Sequence, residues 1–407
     1  MIIIISYAST LNDKNDSQRG YCIIADRIPK GVTMTNTKKR FTTVLLASTA
    51  LIAGLGLAAG PASAGSIKNN SPVELTVGGQ LNRAFLYVND GEESMYRHVD
   101  NENDSTRMFL NADGMINEDW SVGTQFIMLM RSNPSNEMSA TVESAGAGSF
   151  EEEAAEVYFT HKRLGTLWLG QGDTATNGIS ETDLSGTGVA GYSSVGDVAG
   201  GFAFVTSATG ARSTATIGAS ADNLDGLNVA DRIRYDSPEI NGFHLSTSLL
   251  GNGIIDAALY YSGEVSGIAV EAAAGWYNGS GNTAAFTDGV SGSISALVPS
   301  GFSLTLAAGT KSSATQGRDD PKFYYGKIGY QAKLNTFGPT AFAVDVGRFE
   351  DSAQNGDTLD TFGAQAVQEI EGTGSSVYVA YRYHTLDRSG TDFDAIHSIM
   401  TGAYVAF

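Results

Sequence analysis

Ile399-Met400-Thr401-Gly402-Ala403-Tyr404-Val405-Ala406-Phe407 ends the chain. With the period of two of an extended strand, Ile399, Thr401, Ala403, Val405 and Phe407 share one face, and Ser398, Gly402 and Tyr404 share the other. The first face suits lipid or a core and the second suits something wetter. Chain ends of soluble domains usually fray into water. A large aromatic closing an alternating strand therefore points to an end that is held in place.

The other end has a different grammar. Lys38-Lys39-Arg40 is a basic cluster, residues 41–60 are uncharged and rich in small apolar side chains, and Pro61-Ala62-Ser63-Ala64 supplies an A-x-A-like cleavage site before Gly65. Basic, apolar, then small is the order of a secretory signal peptide. Residues 34–64 are expected to be that signal, with cleavage between Ala64 and Gly65. Residues 1–33 fit no part of it and read as an extension ahead of an initiating Met34. The folded protein is expected to be 65–407.

Removal of the leader changes the chemistry available. The single cysteine, Cys22, goes with it, which excludes a disulfide scaffold, a thiolate metal site and a cysteine nucleophile. Residues 1–64 hold seven of the 25 Lys/Arg and three of the 44 Asp/Glu, so 18 basic against 41 acidic groups remain, a formal charge of −23. Such acidity disfavours nucleic acid as a partner. No apolar run reaches the length of a membrane helix. The sequence holds 49 Gly, 17 Tyr and 18 Phe against 8 Pro and has no long helical periodicity, which favours an all-β fold.

About sixteen alternating segments can be marked, near 74–88, 104–113, 119–131, 151–161, 165–171, 229–236, 242–250, 253–262, 267–277, 287–297, 301–310, 322–333, 338–349, 359–370, 374–385 and 395–407. Most have the length that a tilted strand needs to cross a bilayer. Short turns at 114–118, 162–164, 237–241, 263–266, 299–300, 335–337 and 371–372 alternate with mostly longer, often acidic connections. These are 89–103, 132–150, 172–228, 278–286, 311–321, 350–358 and 386–394, with 251–252 as the exception. Tight turns on one rim and long loops on the other is the organisation of a transmembrane antiparallel β-barrel.

Parity assigns the faces. Val377, Val379, Tyr381 and Tyr383 oppose Tyr378, Ala380, Arg382 and His384, and Tyr324, Ile328 and Tyr330 oppose Tyr325, Lys327 and Gln331. A charge at mid-bilayer on the lipid face costs about 2–4 kcal/mol, so Arg131, Lys327 and Arg382 are expected to point into the lumen. Trp120, Tyr235, Trp276 and Tyr383 suit interfacial girdles. Arg83 breaks the pattern by sharing the face of Leu81 and Phe85, which calls for a bulge or a neighbouring subunit.

Asp231-Arg232-Ile233-Arg234-Tyr235-Asp236-Ser237-Pro238, followed by Gly242-Phe243, resembles the R-x-x-Y-x-S-P-x-x-x-G-F hairpin of Gram-negative general porins. Asn117-Glu118-Asp119-Trp120 is similar to an early turn of that family. Leu164-Gly165-Thr166-Leu167-Trp168-Leu169-Gly170-Gln171 is similar to the F-G-x-L-x-x-G-R segment that leads into its constriction loop, with Gln171 where the family commonly has Arg or Lys. The terminal Phe407 resembles the C-terminal signature of outer-membrane barrels.

The resemblance implies a sixteen-stranded, water-filled barrel in the outer membrane of a Gram-negative bacterium. It implies a homotrimer, contact with outer-membrane lipid and lipopolysaccharide, and recognition of Phe407 by the assembly machinery. Small hydrophilic solutes and ions would diffuse through it. A third loop would fold inward after Gln171, placing Asp173, Glu181, Asp183 and Asp197 at a constriction. Arg107, Arg131, Arg232, Arg234, Lys327 and Arg382 are candidates by parity for the facing basic wall, giving a transverse field. The balance is expected to be a weak to moderate cation preference.

No catalytic pattern competes. The five histidines are scattered without metal-ligand spacing, and there is no nucleophile elbow or P-loop. Asp100, Glu102 and Asp104, or Asp387, Asp392 and Asp394, could loosely hold Ca²⁺ through oxygen ligands. An acidic surface loop that binds nothing is the plainer reading. Two alternatives remain in the sequence. One is a substrate-selective channel with a saturable solute site, its candidate lumen tyrosines being Tyr260, Tyr277, Tyr325 and Tyr378. The other is a surface all-β adhesin with no pore.

Overall fold

A computed structural model of the chain describes residues 65–67, 72–145, 150–279 and 286–407. The extension 1–33, the signal segment 34–64 and Ala64 lie outside the described residues.

Sixteen antiparallel strands close into a barrel. In order they are Val73–Asn89, a second strand in two pieces (Ser94–Asp100 and Arg107–Met115), Trp120–Leu129, Glu151–His161, Gly165–Asp173, Val229–Asp236, Phe243–Leu250 and Ile255–Val265. Ile268–Asn278, Phe286–Leu297, Phe302–Ser313, Lys322–Ala332, Thr340–Glu350, Thr358–Ile370, Ser375–Asp387 and Ile396–Ala406 complete it. Each pairs with its neighbour in sequence. Closure comes from the first strand pairing with the last, from Gln80 opposite Ala406 to Asn89 opposite His397. With no free edge, the barrel satisfies its backbone hydrogen bonds without water, the condition for a sheet to cross a bilayer.

The alternation reads through to the structure. Leu81, Ile233, Leu245, Leu259, Ile294, Leu306, Ile328, Val346 and Val377 are exposed on the outside, while Ser246, Ser293, Thr305, Lys327 and Arg382 are buried inside. Trp120, Tyr235 and Phe243, at strand ends on the short-turn rim, are exposed as an interfacial girdle requires. On that rim Phe243 packs on Tyr261 with ring centroids 4.6 Å apart, and Phe302 packs on Tyr330 at 4.7 Å.

Phe407 sits where closure needs it. Its N–H donates to Gly79 O at 2.9 Å and its carbonyl accepts from Gly79 N at 3.0 Å, which extends the seam by one pair. Its ring covers Gly79, where an added Cβ would lie 2.9 Å from Cζ. A side chain at Gly79 would meet both that ring and Arg107 O, the latter at 2.8 Å. Beyond it, Gly65–Ile67 pairs with Leu75–Val77 along the same edge of the first strand.

Two expectations need correction. The long loop at 89–103 is a tight turn at 90–93 followed by the strand Ser94–Asp100. That strand alternates buried Met95, Arg97 and Val99 with exposed Tyr96 and His98. Polar and charged residues on both faces hid the alternation. The second strand then breaks at Asn101–Thr106, where a short 3₁₀ turn at Glu102–Asp104 replaces the ladder. The first strand has no bulge at Arg83, pairing on both sides without a register shift. Arg83 Nη1 meets Asp100 Oδ2 at 3.3 Å and Ser132 O at 2.7 Å, because the chain at 132–135 covers the break and pairs with Asp100.

Candidate constriction site

The connection from Thr174 to Asn228 runs into the barrel, and it is stitched to the inner wall near both of its ends. Ala175 N–H donates to Ser248 Oγ at 2.6 Å, Thr176 N–H to Asp256 Oδ2 at 2.9 Å, and Leu184 N–H to Ser295 Oγ at 2.9 Å. In return Tyr260 OH donates to Ala175 O at 2.8 Å, and Tyr277 OH to Leu224 O at 3.0 Å. Serines and tyrosines that alternation turns inward are the fasteners for a loop with no ladder of its own.

The loop then adds apolar mass. Its short hairpin, Ala203–Thr206 with Ala211–Thr216, and the turns on either side bury Val189, Val195, Val198, Phe202, Phe204 and Ile217. They cluster with Leu86, Val88, Phe323, Phe349, Leu359, Ile396 and Met400 of the wall. Burying a side chain such as Phe202 contributes about 1.5–3 kcal/mol relative to leaving it wet. One side of the lumen is therefore a packed core. The hairpin also reaches the loop before the last strand, with Ser207 N–H on Asp392 O at 3.0 Å and Asp394 N–H on Val205 O at 2.9 Å.

All six candidate wall cations are engaged by carboxylates. Lys327 Nζ lies 2.7 Å from Asp183 Oδ2 and 2.7 Å from Gly191 O, with both charged side chains buried beneath the loop. Arg382 pairs with Asp345 at 3.0 Å and donates to Tyr192 O at 3.3 Å. Arg232 pairs with Glu156 at 2.6 Å and holds Asp173 O, while Arg234 pairs with Asp236 at 2.8 Å and donates to Thr174 O. These four arginines and lysines anchor the loop rather than face an opening. That corrects their expected role, and Asp183 moves with them from the constriction to an anchor. Arg131 is bound by Glu102 and Glu151 just past its strand.

Of the six, only Arg107 lines an acidic space beside the loop. That space is a cavity of about 340 Å³ between the loop and the strands from Arg107 to Asp173, bordered also by the broken second strand. Seven carboxylates line it: Glu102, Asp104, Glu153, Asp173, Glu181, Asp197 and Asp225. Asp104 and Glu153 share Arg107, and Glu102 has Arg131. Among the described residues the other four take only neutral donors. Asp173 accepts from Asn177 at 2.8 Å, Glu181 from Asn223 at 3.0 Å, Asp197 from Tyr192 OH at 2.8 Å, and Asp225 from the N–H groups of Gly178 and Ser180. Burial pushes Asp225 up to about 7 and Asp197 up to about 6. Burial, then repulsion from Asp225, holds Glu181 well above the ordinary carboxylate range.

Asp173, Glu181 and Asp197 line this cavity together with Asp225 and Glu153, which the sequence reading did not single out. Asp225 lies near the loop's return, far in sequence from the acids it joins. The four candidate lumen tyrosines face inward but are covered, Tyr378 donating to Asn82 Oδ1 at 2.7 Å, so they form no exposed row along a passage. Gln171 shares the strand face of exposed Leu167 and pairs across to Asp231, away from the lumen. Asp100, Glu102 and Asp104 turn to three different arginines. Among the described residues no three His, Cys, Asp or Glu side chains converge as a metal site.

A sequence model of the Gram-negative porins matches residues 47–389. The chain belongs to that family. It forms an outer-membrane β-barrel and its barrel is a channel. The porin is similar in structure to the anion-selective porin from Comamonas acidovorans, with 12% identity, 82% of this chain and 100% of that one covered, and a TM-score of 0.57. OmpF of Salmonella typhi, solved with daunomycin, has 14% identity, covers 84% and 100%, and scores 0.54. OmpT of Vibrio cholerae lacking loop L8 has 12% identity, covers 83% and 100%, and scores 0.54. At such identities the likeness is one of fold. No curated protein sequence matches the chain.

Proposed function

We propose that this porin passes small hydrophilic solutes and ions by passive diffusion, with a weak to moderate preference for cations. One observation carries the preference: the six lumen cations are all neutralised by carboxylates, while Asp173, Glu181, Asp197 and Asp225 have no cationic partner within salt-bridge distance among the described residues. Net negative charge in a narrow, low-dielectric passage raises the local cation concentration, and salt screens it within about 10 Å at 0.1 M. The reading is tested by reversal potentials across a KCl gradient. Wild type is expected to favour K⁺ at low salt and less so at high salt, and Asp173→Asn with Asp197→Asn is expected to shift the potential toward anions. An anion-selective wild type at low salt overturns it. Neutralising Asp183 is not the right test, because it would strand Lys327.

A homotrimer embedded among outer-membrane lipid and lipopolysaccharide, free of any required metal or catalytic step, completes the proposal. The seam between Phe407 and Gly79 supports a role for the terminal residue in closure and delivery. Deleting Phe407 is expected to lower outer-membrane yield much more than refolding in detergent; equal yields in the membrane would remove the residue from assembly.

A further inference from the structure

In the strands from Phe243 to Ser313 the inner face is rich in serine and threonine, Ser246, Ser248, Ser293 and Thr305 among them. At the seam between the first and last strands it turns apolar. Leu86 stands opposite Met400 and Val88 opposite Ser398, and Leu86, Val88, Ile396 and Met400 are all fully buried. Their cover is the hairpin of the third loop, whose Phe202 and Phe204 belong to the same packed cluster. An apolar patch on the inside of a wet barrel is stable only when something lies over it.

The hairpin also grips both sides of the seam at its long-loop end. Arg212 reaches the turn that leaves the first strand, lying 2.8 Å from Asp90 Oδ2 and 3.0 Å from Glu93 Oε2. At its other edge the hairpin holds the connection that enters the last strand. Thr206 forms an antiparallel bridge with Phe393, and Ser207 Oγ donates to Asp394 Oδ1 at 2.6 Å. The rings of Phe204 and Phe393 have centroids 6.2 Å apart. The two gripped segments also touch each other, since a Cβ on Gly91 would lie 2.5 Å from Asp394 Cβ. One hairpin therefore bridges two segments from opposite ends of the barrel sequence.

The seam is the pairing that most needs such a bridge. Every other neighbouring pair of the sixteen strands is consecutive in the chain, whereas the first and last meet only when the whole barrel has formed. Contacts so remote in sequence carry the largest closure entropy. We infer that the hairpin of the third loop is a clasp across the closing seam: its docking and the pairing of the first strand with the last are one cooperative event, and it holds the long-loop half of the seam shut. An open seam would leave two unpaired strand edges and an uncovered apolar inner face. The clasp removes both together. The inference does not depend on which ions the channel prefers.

The test is amide hydrogen exchange on the full protein folded in detergent, read strand by strand. Phe204→Ala with Arg212→Ala is expected to speed exchange at least tenfold in residues 84–89 and 396–401, and less than twofold in 256–260 and 272–276 on the far wall. The same variant should convert to the slower-migrating form on gels at a lower temperature than wild type. Residues 65–407 contain no cysteine, so a disulfide can be placed across the seam with Tyr87→Cys and Ile399→Cys, outward-facing partners in register. That bond should restore the conversion temperature of the variant. Leu259→Cys with Ala274→Cys, an outward-facing pair away from the seam, should not. Arg348→Ala, which breaks an exposed ion pair elsewhere at the long-loop end, should leave exchange at the seam unchanged. If the double variant fails to fold, Arg212→Ala alone carries the comparison, with a severalfold rise at the seam. Exchange that stays slow at the seam, or rises evenly around the barrel, overturns the clasp. So does equal rescue by the two disulfides.

Discussion

The two sides of the lumen use the same residue types for opposite ends. On the side of Lys327 and Arg382, each buried cation has its carboxylate, and the loop lies sealed over them by Phe202, Phe204 and Val189. On the side of Arg107, carboxylates outnumber cations and a cavity remains. Charge that is paired and dry holds the loop in place. Charge left unpaired beside open space is available to whatever passes. A loop can keep an acidic lip only because its other side is fastened firmly enough to resist the repulsion.

The contrast can be broken at the fastener. Lys327→Met leaves Asp183 buried without a partner, and removing one member of such a pair costs about 3–5 kcal/mol. The loop is expected to come away from the wall, lowering the temperature at which folded barrel converts to the slower-migrating form on gels and making single-channel current noisy. Adding Asp183→Leu should recover much of the loss, because an apolar pair needs no counter-charge. A quiet, fully heat-stable Lys327→Met channel would show that the apolar packing alone holds the loop.

A smaller effect is expected from pH, which acts on the other side. Asp225 at about 7 and Asp197 at about 6 are raised carboxylates, so they take up protons as pH falls through these values. Arg107, which lines the same space, and Arg131, which is paired with Glu102, stay charged throughout. Cation preference should therefore be greatest near pH 8 and decline toward pH 5, most steeply between 7 and 6. Reversal potentials that stay flat over that range would mean that these acids do not border the ion path.

The least effect is expected at the rim. Lys333 and Glu371 pair across the short-turn end, where their side chains are 57% and 62% exposed. Solvent-exposed pairs contribute little to stability. Lys333→Ala should leave both thermal conversion and selectivity within error, which sets the scale for the other two measurements.

Much of this porin was legible in one dimension because a barrel repeats a local rule. Each strand must turn apolar residues to lipid and polar ones inward, so Tyr324 against Tyr325 or Val377 against Tyr378 declares its face without knowledge of the rest. The alternation failed where both faces are polar, as in Ser94–Asp100, and where Asn101–Thr106 interrupts the strand. The constriction was half legible. The third loop announces itself by length and acid content, but its partners are strands remote in sequence, and nothing local in Lys327 or Asp183 states that they meet.

The sequence by itself determined the strand order, the faces, the terminal aromatic and the acidic balance, all properties that depend on neighbours one or two residues away. Only the tertiary structure decided which acids keep their charge free. Pairing Asp183 with Lys327 and Asp345 with Arg382, while leaving Asp173, Glu181, Asp197 and Asp225 together, depends on where a loop of more than fifty residues comes to rest. Electrostatic energy depends on separation in space and on exclusion of water, and neither is written in the spacing along the chain.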